Sequence, residues 1–252
     1  MPDLRTIWAN GGTVLNSFIN LPGSFATEVM ASAGFDSLTL DLQHGMVEFA
    51  DAIPAFQAMN GWDVTPLARI PAIGSPLTGK LLDAGAAGLI CPMIETAADV
   101  RRFVADSLYP PDGHRSNGAT RAVLRHQPGM YQKVANDQVI LLPMIETAAA
   151  LRNVEEIAAV PGIAGLYLGP TDLAFTLGLE PKGDNTTPQL MQAYGDVIAA
   201  ANRNGIIAAL HCGTPEFARR AVEMGFRMVT VTADSGLLLN AARQAVASFR
   251  AS

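Results

Sequence analysis

Residues 138–149 read Gln138-Val139-Ile140-Leu141-Leu142-Pro143-Met144-Ile145-Glu146-Thr147-Ala148-Ala149. An apolar run of strand length ends in a carboxylate and passes through a threonine into an alanine-rich helical pattern. The last seven letters are a repeat, because Pro92-Met93-Ile94-Glu95-Thr96-Ala97-Ala98 matches Pro143 through Ala149 letter for letter. Each copy reads as the end of a strand and the start of a helix, with Thr as N-cap, so one βα plan is used at least twice. Common ancestry and common geometry account for it equally well.

Outward from this stretch the same alternation reaches both ends of the chain. Short β-rich runs fall at 14–19, 37–42, 66–70, 88–93, 138–146, 165–169, 206–211 and 228–232. Between them, patterns of period near 3.6 fall at 24–33, 49–59, 76–84, 97–108, 148–160, 188–204, 215–224 and 237–249. Ser24 and Thr214 read as N-caps, Pro76 and Pro215 as first-turn residues, and Gly34, Gly85, Gly205 and Gly225 as stops. Eight strand–helix units predict an α/β fold, a closed (β/α)8 TIM barrel, in a single domain over 1–252. An open doubly wound sheet competes, but Asn20-Leu21-Pro22-Gly23-Ser24 lacks the glycine fingerprint of a dinucleotide site.

Composition narrows the function classes. Of the 252 residues, 49% are hydrophobic and only 16% charged, and 17 Lys and Arg face 23 Asp and Glu for a net charge of −6. No basic stripe is available to neutralise phosphates, so nucleic acid is not an expected partner. So low a surface charge points to a homo-oligomer. Cys91 and Cys212 lie in apolar runs and suit a reducing cytoplasm. The first ten residues lack a secretory pattern, and no window is long and apolar enough to span a membrane.

In a barrel of this kind the chemistry sits at the C-terminal ends of the strands. Polar residues there are Asp41 and His44, Arg69, Glu95, Glu146, Asp172, His211 and Asp234. Glu146 and Asp172 end neighbouring strands about 4.8 Å apart, so two hard oxygens can converge on Mg²⁺ or Mn²⁺. From spacing alone the pair also reads as loop caps. No His or Cys cluster has zinc spacing. Gly169 lets a ligand approach the backbone, and the N–H groups of Thr171 and Asp172 are placed to hold a carboxylate or phosphate. Arg69 is costly in an apolar run unless it meets an anion. Imidazole is the side chain best suited to general-base work at neutral pH, which singles out His44, with Asp83 placed to orient its ring. Two long connections, 109–137 and 176–187, break the short-loop pattern and are expected to be functional.

Taken in order, the motifs form a set. Ala31-Ser32-Ala33-Gly34-Phe35-Asp36 leads into Asp41-Leu42-Gln43-His44-Gly45, followed by Leu67-Ala68-Arg69 and Leu81-Leu82-Asp83-Ala84-Gly85. Tyr109-Pro110-Pro111-Asp112-Gly113-His114-Arg115, Ile145-Glu146-Thr147 and Gly169-Pro170-Thr171-Asp172-Leu173 complete it. The chain resembles, over nearly its whole length, the class II metal-dependent pyruvate aldolases of the 4-hydroxy-2-oxoheptane-1,7-dioate (2,4-dihydroxyhept-2-ene-1,7-dioate) aldolase type. The resemblance implies reversible aldol addition between a 2-oxo acid (pyruvate or hydroxypyruvate) and an aldehyde, in aromatic compound catabolism.

It further implies that Glu146 and Asp172 hold Mg²⁺, Mn²⁺ or Co²⁺ and that no organic cofactor is needed. Arg69 would contact the keto oxygen, His44 held by Asp83 would be the acid/base, and Asp41 would stand behind them. Arg115 would reach substrate from the long loop, from this subunit or a neighbour. The last helix would be exchanged between subunits in a hexamer built as a trimer of dimers. The chain departs from the pattern at Met144, where the homocatechuate-pathway member carries Gln, and at Ala209-Leu210-His211-Cys212-Gly213. Two alternatives stand beside this reading: a citryl-coenzyme A lyase-like carbon–carbon lyase, and a non-catalytic oligomeric barrel. Oxaloacetate decarboxylation is an expected side activity of the same enolate.

Overall fold

In the computed structural model, which describes residues 2–251, the strands close on themselves. They are β1 (Val14–Ile19), β2 (Ser37–Asp41), β3 (Thr65–Arg69), β4 (Gly88–Cys91), β5 (Ile140–Ile145), β6 (Gly165–Leu168), β7 (Ile207–Cys212) and β8 (Met228–Ala233). All pair in parallel in sequence order, and β8 returns to β1. The helices are α1 (Leu4–Ala9), α2 (Ser24–Ala31), α3 (Phe49–Met59), α4 (Leu77–Ala84), α5 (Ala97–Ser107), α6 (Tyr131–Gln138), α7 (Ala148–Arg152) and α8 (Val154–Ala158). They continue as α9 (Pro170–Thr176), α10 (Pro188–Arg203), α11 (Pro215–Met224) and α12 (Asp234–Arg250).

Sequence punctuation sets most ends. Thr96, Thr147 and Thr214 accept hydrogen bonds from N–H groups of the first turns of α5, α7 and α11, and Gly85 ends α4 in the left-handed conformation. Three expectations are corrected. Gly23, not Ser24, is the N-cap of α2. The single helix over 148–160 is two, broken at Asn153, whose side-chain amide leaves the helix to donate to the Glu95 carbonyl. The stretch 109–137 is not all loop, since a 3-10 turn (Ala122–Arg125) and α6 lie inside it.

Two apolar layers follow from the period-2 alternation of the strands. Outward residues such as Leu38, Leu40, Cys91 and Leu166 pack under the helices. Inward residues Phe18, Leu67, Ile90, Leu142, Met144, Tyr167 and Met228 fill the barrel, and Leu4 of α1 closes its floor. Each such buried side chain contributes about 1.5–3 kcal/mol. Among them runs a buried polar chain. Ser37 and Thr39 hydroxyls donate to Asn16 Oδ1 (2.8 and 3.0 Å), and Asn16 Nδ2 donates to Thr230 Oγ1 (2.9 Å).

The C-terminal helix behaves unlike the others. Asp234 is buried and accepts the Asn20 and Leu21 amides (2.8 and 3.2 Å), tying the start of α12 to the end of β1. Beyond it α12 leaves the barrel, with Leu238 63%, Val246 50% and Phe249 83% exposed. Leu15 on β1 and Phe25 and Val29 on α2 are exposed as well. Among the described residues no helix is long and apolar enough to cross a membrane.

Candidate active site

The C-terminal rim gathers Asp41, Arg69, Glu146, Asp172 and His211 at strand ends or just beyond them. Asp41 grips Arg69 through two parallel bonds, Nε to Oδ1 (2.8 Å) and Nη2 to Oδ2 (2.6 Å). The same carboxylate accepts the Gln43 and His44 amides, so it shapes the 41–45 turn as well. Burial alone would raise the Asp41 carboxyl, but Arg69 and those amides outweigh it and hold it below its ordinary value. The Arg69 guanidinium also lies over the Phe18 ring at 4.9 Å, which fixes its plane. His44 is exposed at the mouth.

Glu146 is 1% exposed, and its Oε1 accepts the Met93 amide at 2.7 Å. That amide is aimed by a Met93 backbone at φ 55, an uncommon conformation for a residue with a Cβ. On the other side stands Gly169, where a Cβ would come within 2.7 Å of Glu146 Oε2. Glycine is therefore required for the carboxylate to sit where it does. Burial pushes the Glu146 carboxyl above its ordinary value; the Met93 amide and Arg69 oppose this and Asp172 adds to it.

Asp172 is exposed on the first turn of α9, and the helix ladder begins only with Leu173 N–H to the Gly169 carbonyl (3.1 Å). The N–H groups of Thr171 and Asp172 therefore lie ahead of the helix's own acceptors. A buried and an exposed carboxylate repelling one another make a donor set that suits a hard divalent cation. Among the described residues no group of three or more His, Cys, Asp and Glu is gathered for a metal, so water or ligand oxygens would complete the shell.

Two expected members are not in this mouth. Helices of a βα barrel run back against their strands, so α4 ends about 12 Å below its start. Asp83, next to last in α4, therefore sits toward the N-terminal rim, and its carboxylate takes Arg115 Nη2 at 2.6 Å. The expectation that it orients His44 is corrected for a single chain. Arg115 belongs to the same rim, buried between the Tyr109 and Tyr131 rings (4.4 and 5.7 Å) and bonded to the Tyr131 hydroxyl (3.0 Å). The long connection joins the end of a helix to the start of a strand, which puts it at the floor rather than the mouth. A cavity of about 590 Å³ also opens there, lined by Arg5, Arg115, His126 and Tyr131, and none of Asp41, Arg69, Glu146 or Asp172 lines it.

Of the other strand-end residues, Glu95 is exposed, with its backbone N–H on Asp99, and Asp234 is the α12 anchor. The reading of the sequence missed the interior chain of Asn16, Ser37, Thr39, Tyr167 and Thr230 and the Phe18 platform. Polar letters at inward positions of otherwise apolar strands were the available signal.

The fold and this rim define a βα-barrel whose mouth pairs two carboxylates with an arginine, an arrangement suited to a hard cation and an oxygen ligand bound to it. The profile of the HpcH/HpaI aldolase/citrate lyase family matches residues 17–241, and the chain belongs to that family. It is 37% identical over 251 residues to a hydroxypyruvate/pyruvate aldolase of Rhizorhabdus wittichii, covering all of both chains. It is 36% identical over 248 residues to one of Cupriavidus necator, covering 98% of this chain and 91% of that one. A solved HpcH/HpaI aldolase/citrate lyase family protein of Burkholderia cenocepacia superposes with a TM-score of 0.89 at 33% identity, covering 95% of each chain.

Proposed function

We propose that this protein is a divalent-metal-dependent aldolase that joins pyruvate or hydroxypyruvate to an aldehyde, giving a 4-hydroxy-2-oxo acid, and cleaves such products in reverse. The observation that carries the reading is the setting of Glu146: buried, fixed by the Met93 amide, pressed against Gly169 and near enough to Asp172 to feel its charge. When bound there by Glu146 and Asp172, the cation supplies Lewis acidity toward a chelating 2-oxo acid. Arg69, locked in plane by Asp41 and Phe18, stabilises negative charge on the keto oxygen as C3 loses its proton. The Thr171 and Asp172 amides hold the carboxylate. His44 moves the proton between C3 and the aldehyde oxygen, directly or through a water it polarises. The C3–H bond breaks, the C–C bond forms, and the aldehyde oxygen ends protonated.

The same geometry supports an assembly of several subunits. Asp83 and Arg115 lie toward the rim opposite their own mouth, so any part they take in catalysis is at a neighbour's. The exposed strip of Leu15, Phe25 and Val29 fits the apolar face of a partner's α12, and the exchange builds dimers within a hexamer. Truncation after Ala233 should reduce the species seen by light scattering to monomers; an unchanged size would refute the exchange.

The test of the function is an aldehyde panel against pyruvate and hydroxypyruvate, followed by mass. Adduct formation should vanish after exhaustive chelation and return with Mg²⁺, Mn²⁺ or Co²⁺. Full turnover after chelation would overturn the proposal.

A further inference from the structure

The proposed chemistry leaves the His211 ring, at the rim, without a task. It ends the inward face of β7, level with Thr230 on β8 and one residue beyond the Leu210–Leu168 pairing with β6. Its position therefore borders Gly169, where Asp172 and the α9 amides begin. The ring is half-buried and meets Phe18 edge-on, centroids 5.2 Å apart, and the Arg69 guanidinium lies over the same Phe18 ring at 4.9 Å. His211 thus shares its Phe18 neighbour with the arginine assigned to the keto oxygen and feels that arginine's charge.

The interior polar chain sets its orientation. The Tyr167 hydroxyl donates to Thr230 Oγ1 (2.7 Å) and stands 3.2 Å from His211 Nδ1. With the phenol proton committed to Thr230, Nδ1 donates to the phenol oxygen, and Nε2 is left as an acceptor with no partner among the described residues. Burial, with Arg69 adding its charge, pushes the imidazole down to about 4, so it is neutral across the working range of an enzyme. A neutral ring held in one orientation is poorly suited to move protons. It is well suited to read a hydroxyl.

We infer that His211 is a specificity-determining residue, whose Nε2 takes a hydrogen bond from a hydroxyl of the substrate and so favours hydroxylated over plain substrates. This rests on the aldolase reading above. The hydroxyl has two sources, C3 of hydroxypyruvate or the carbon next to the carbonyl of a hydroxyaldehyde. In either place a site built to bond a hydroxyl discriminates against the substrate that lacks it, because Nε2 is then left bare.

Two competition arms separate the sources. One compares hydroxypyruvate with pyruvate against acetaldehyde; the other compares glycolaldehyde with acetaldehyde against pyruvate. The variants are His211→Phe, which keeps the ring packing on Phe18, and His211→Gln, which returns an acceptor oxygen at similar reach. In one arm, wild type should prefer the hydroxylated substrate in kcat/KM, and His211→Phe should cut that ratio about fivefold to tenfold, the worth of one neutral hydrogen bond. His211→Gln should hold it within about twofold of wild type. Equal losses for both members of each pair, or identical ratios for Phe and Gln variants, would show that His211 only packs.

Binding of hydroxypyruvate and pyruvate to the magnesium-loaded protein by calorimetry, with glycolaldehyde and acetaldehyde run against the magnesium–oxalate complex, whose oxalate mimics the enolate but has no C3 to react, gives the same comparisons without turnover. If wild type turns over no pair, the aldolase reading falls, and the binding ratios still decide this one. A hydroxyl preference lost in His211→Phe upholds it, and its absence in both comparisons overturns it.

Discussion

The two copies of Pro-Met-Ile-Glu-Thr-Ala-Ala have the same letters and different fates. In the second copy Met144 is 2% and Glu146 1% exposed; in the first Met93 is 51% exposed and Glu95 stands in solvent. The cause is register. Cys91 pairs with Pro143, so the first copy begins one residue later against the sheet than the second, past the last pairing of β4 with β5. β4 also ends at Cys91, leaving Pro92 and Met93 outside the sheet, whereas β5 runs on to Ile145. The first copy then serves the second, since the Met93 amide is what holds Glu146. Identity of sequence gave identity of caps but not of role.

The contrast is broken most strongly at the carboxylates. Glu146→Gln should lower aldol kcat/KM by about a thousandfold or more, the scale of removing a charge-stabilising group from an active site. Glu95→Gln should stay within about twofold, so equal losses at the two positions would mean the repeat is functionally symmetric. At the methionines the expected difference is one of stability. Met144→Ala, in the barrel interior, should cost about 2–5 kcal/mol in denaturant unfolding. Met93→Ala, on the surface with its amide retained, should fall within about 0.5 kcal/mol of wild type. The threonines sharpen the comparison from the other side: Thr96→Ala and Thr147→Ala should each cost about 1 kcal/mol, because each side chain accepts a first-turn amide of its helix, Asp99 N–H and Ala150 N–H. A loss at only one of them would show that the caps, too, have diverged.

The barrel was legible because hydrophobic periodicity and Gly, Pro and Thr punctuation report local structure directly, and all eight strands lie within two residues of their expected ends. Arg69, Glu146 and Asp172 were legible for a related reason: in this fold a polar letter ending an apolar run marks the mouth. Asp83 was expected beside the His44 of its own chain because motif order says nothing of which rim a helix end reaches. α4 is long enough to carry Asp83 toward the far side, and there it meets Arg115 instead of His44. The Met93 amide could not be read at all, since it is a backbone group supplied by the register of a neighbouring strand.

The most direct test of the account is Mn²⁺ titration by calorimetry, with and without pyruvate, on wild type, Glu146→Gln and Glu95→Gln. One site per chain is expected in wild type and in Glu95→Gln, tightened by pyruvate, and it should be lost in Glu146→Gln. Metal affinity that ignores pyruvate, or that survives unchanged in Glu146→Gln, would contradict the claim that the second copy of the repeat is the metal-binding end of an aldolase barrel.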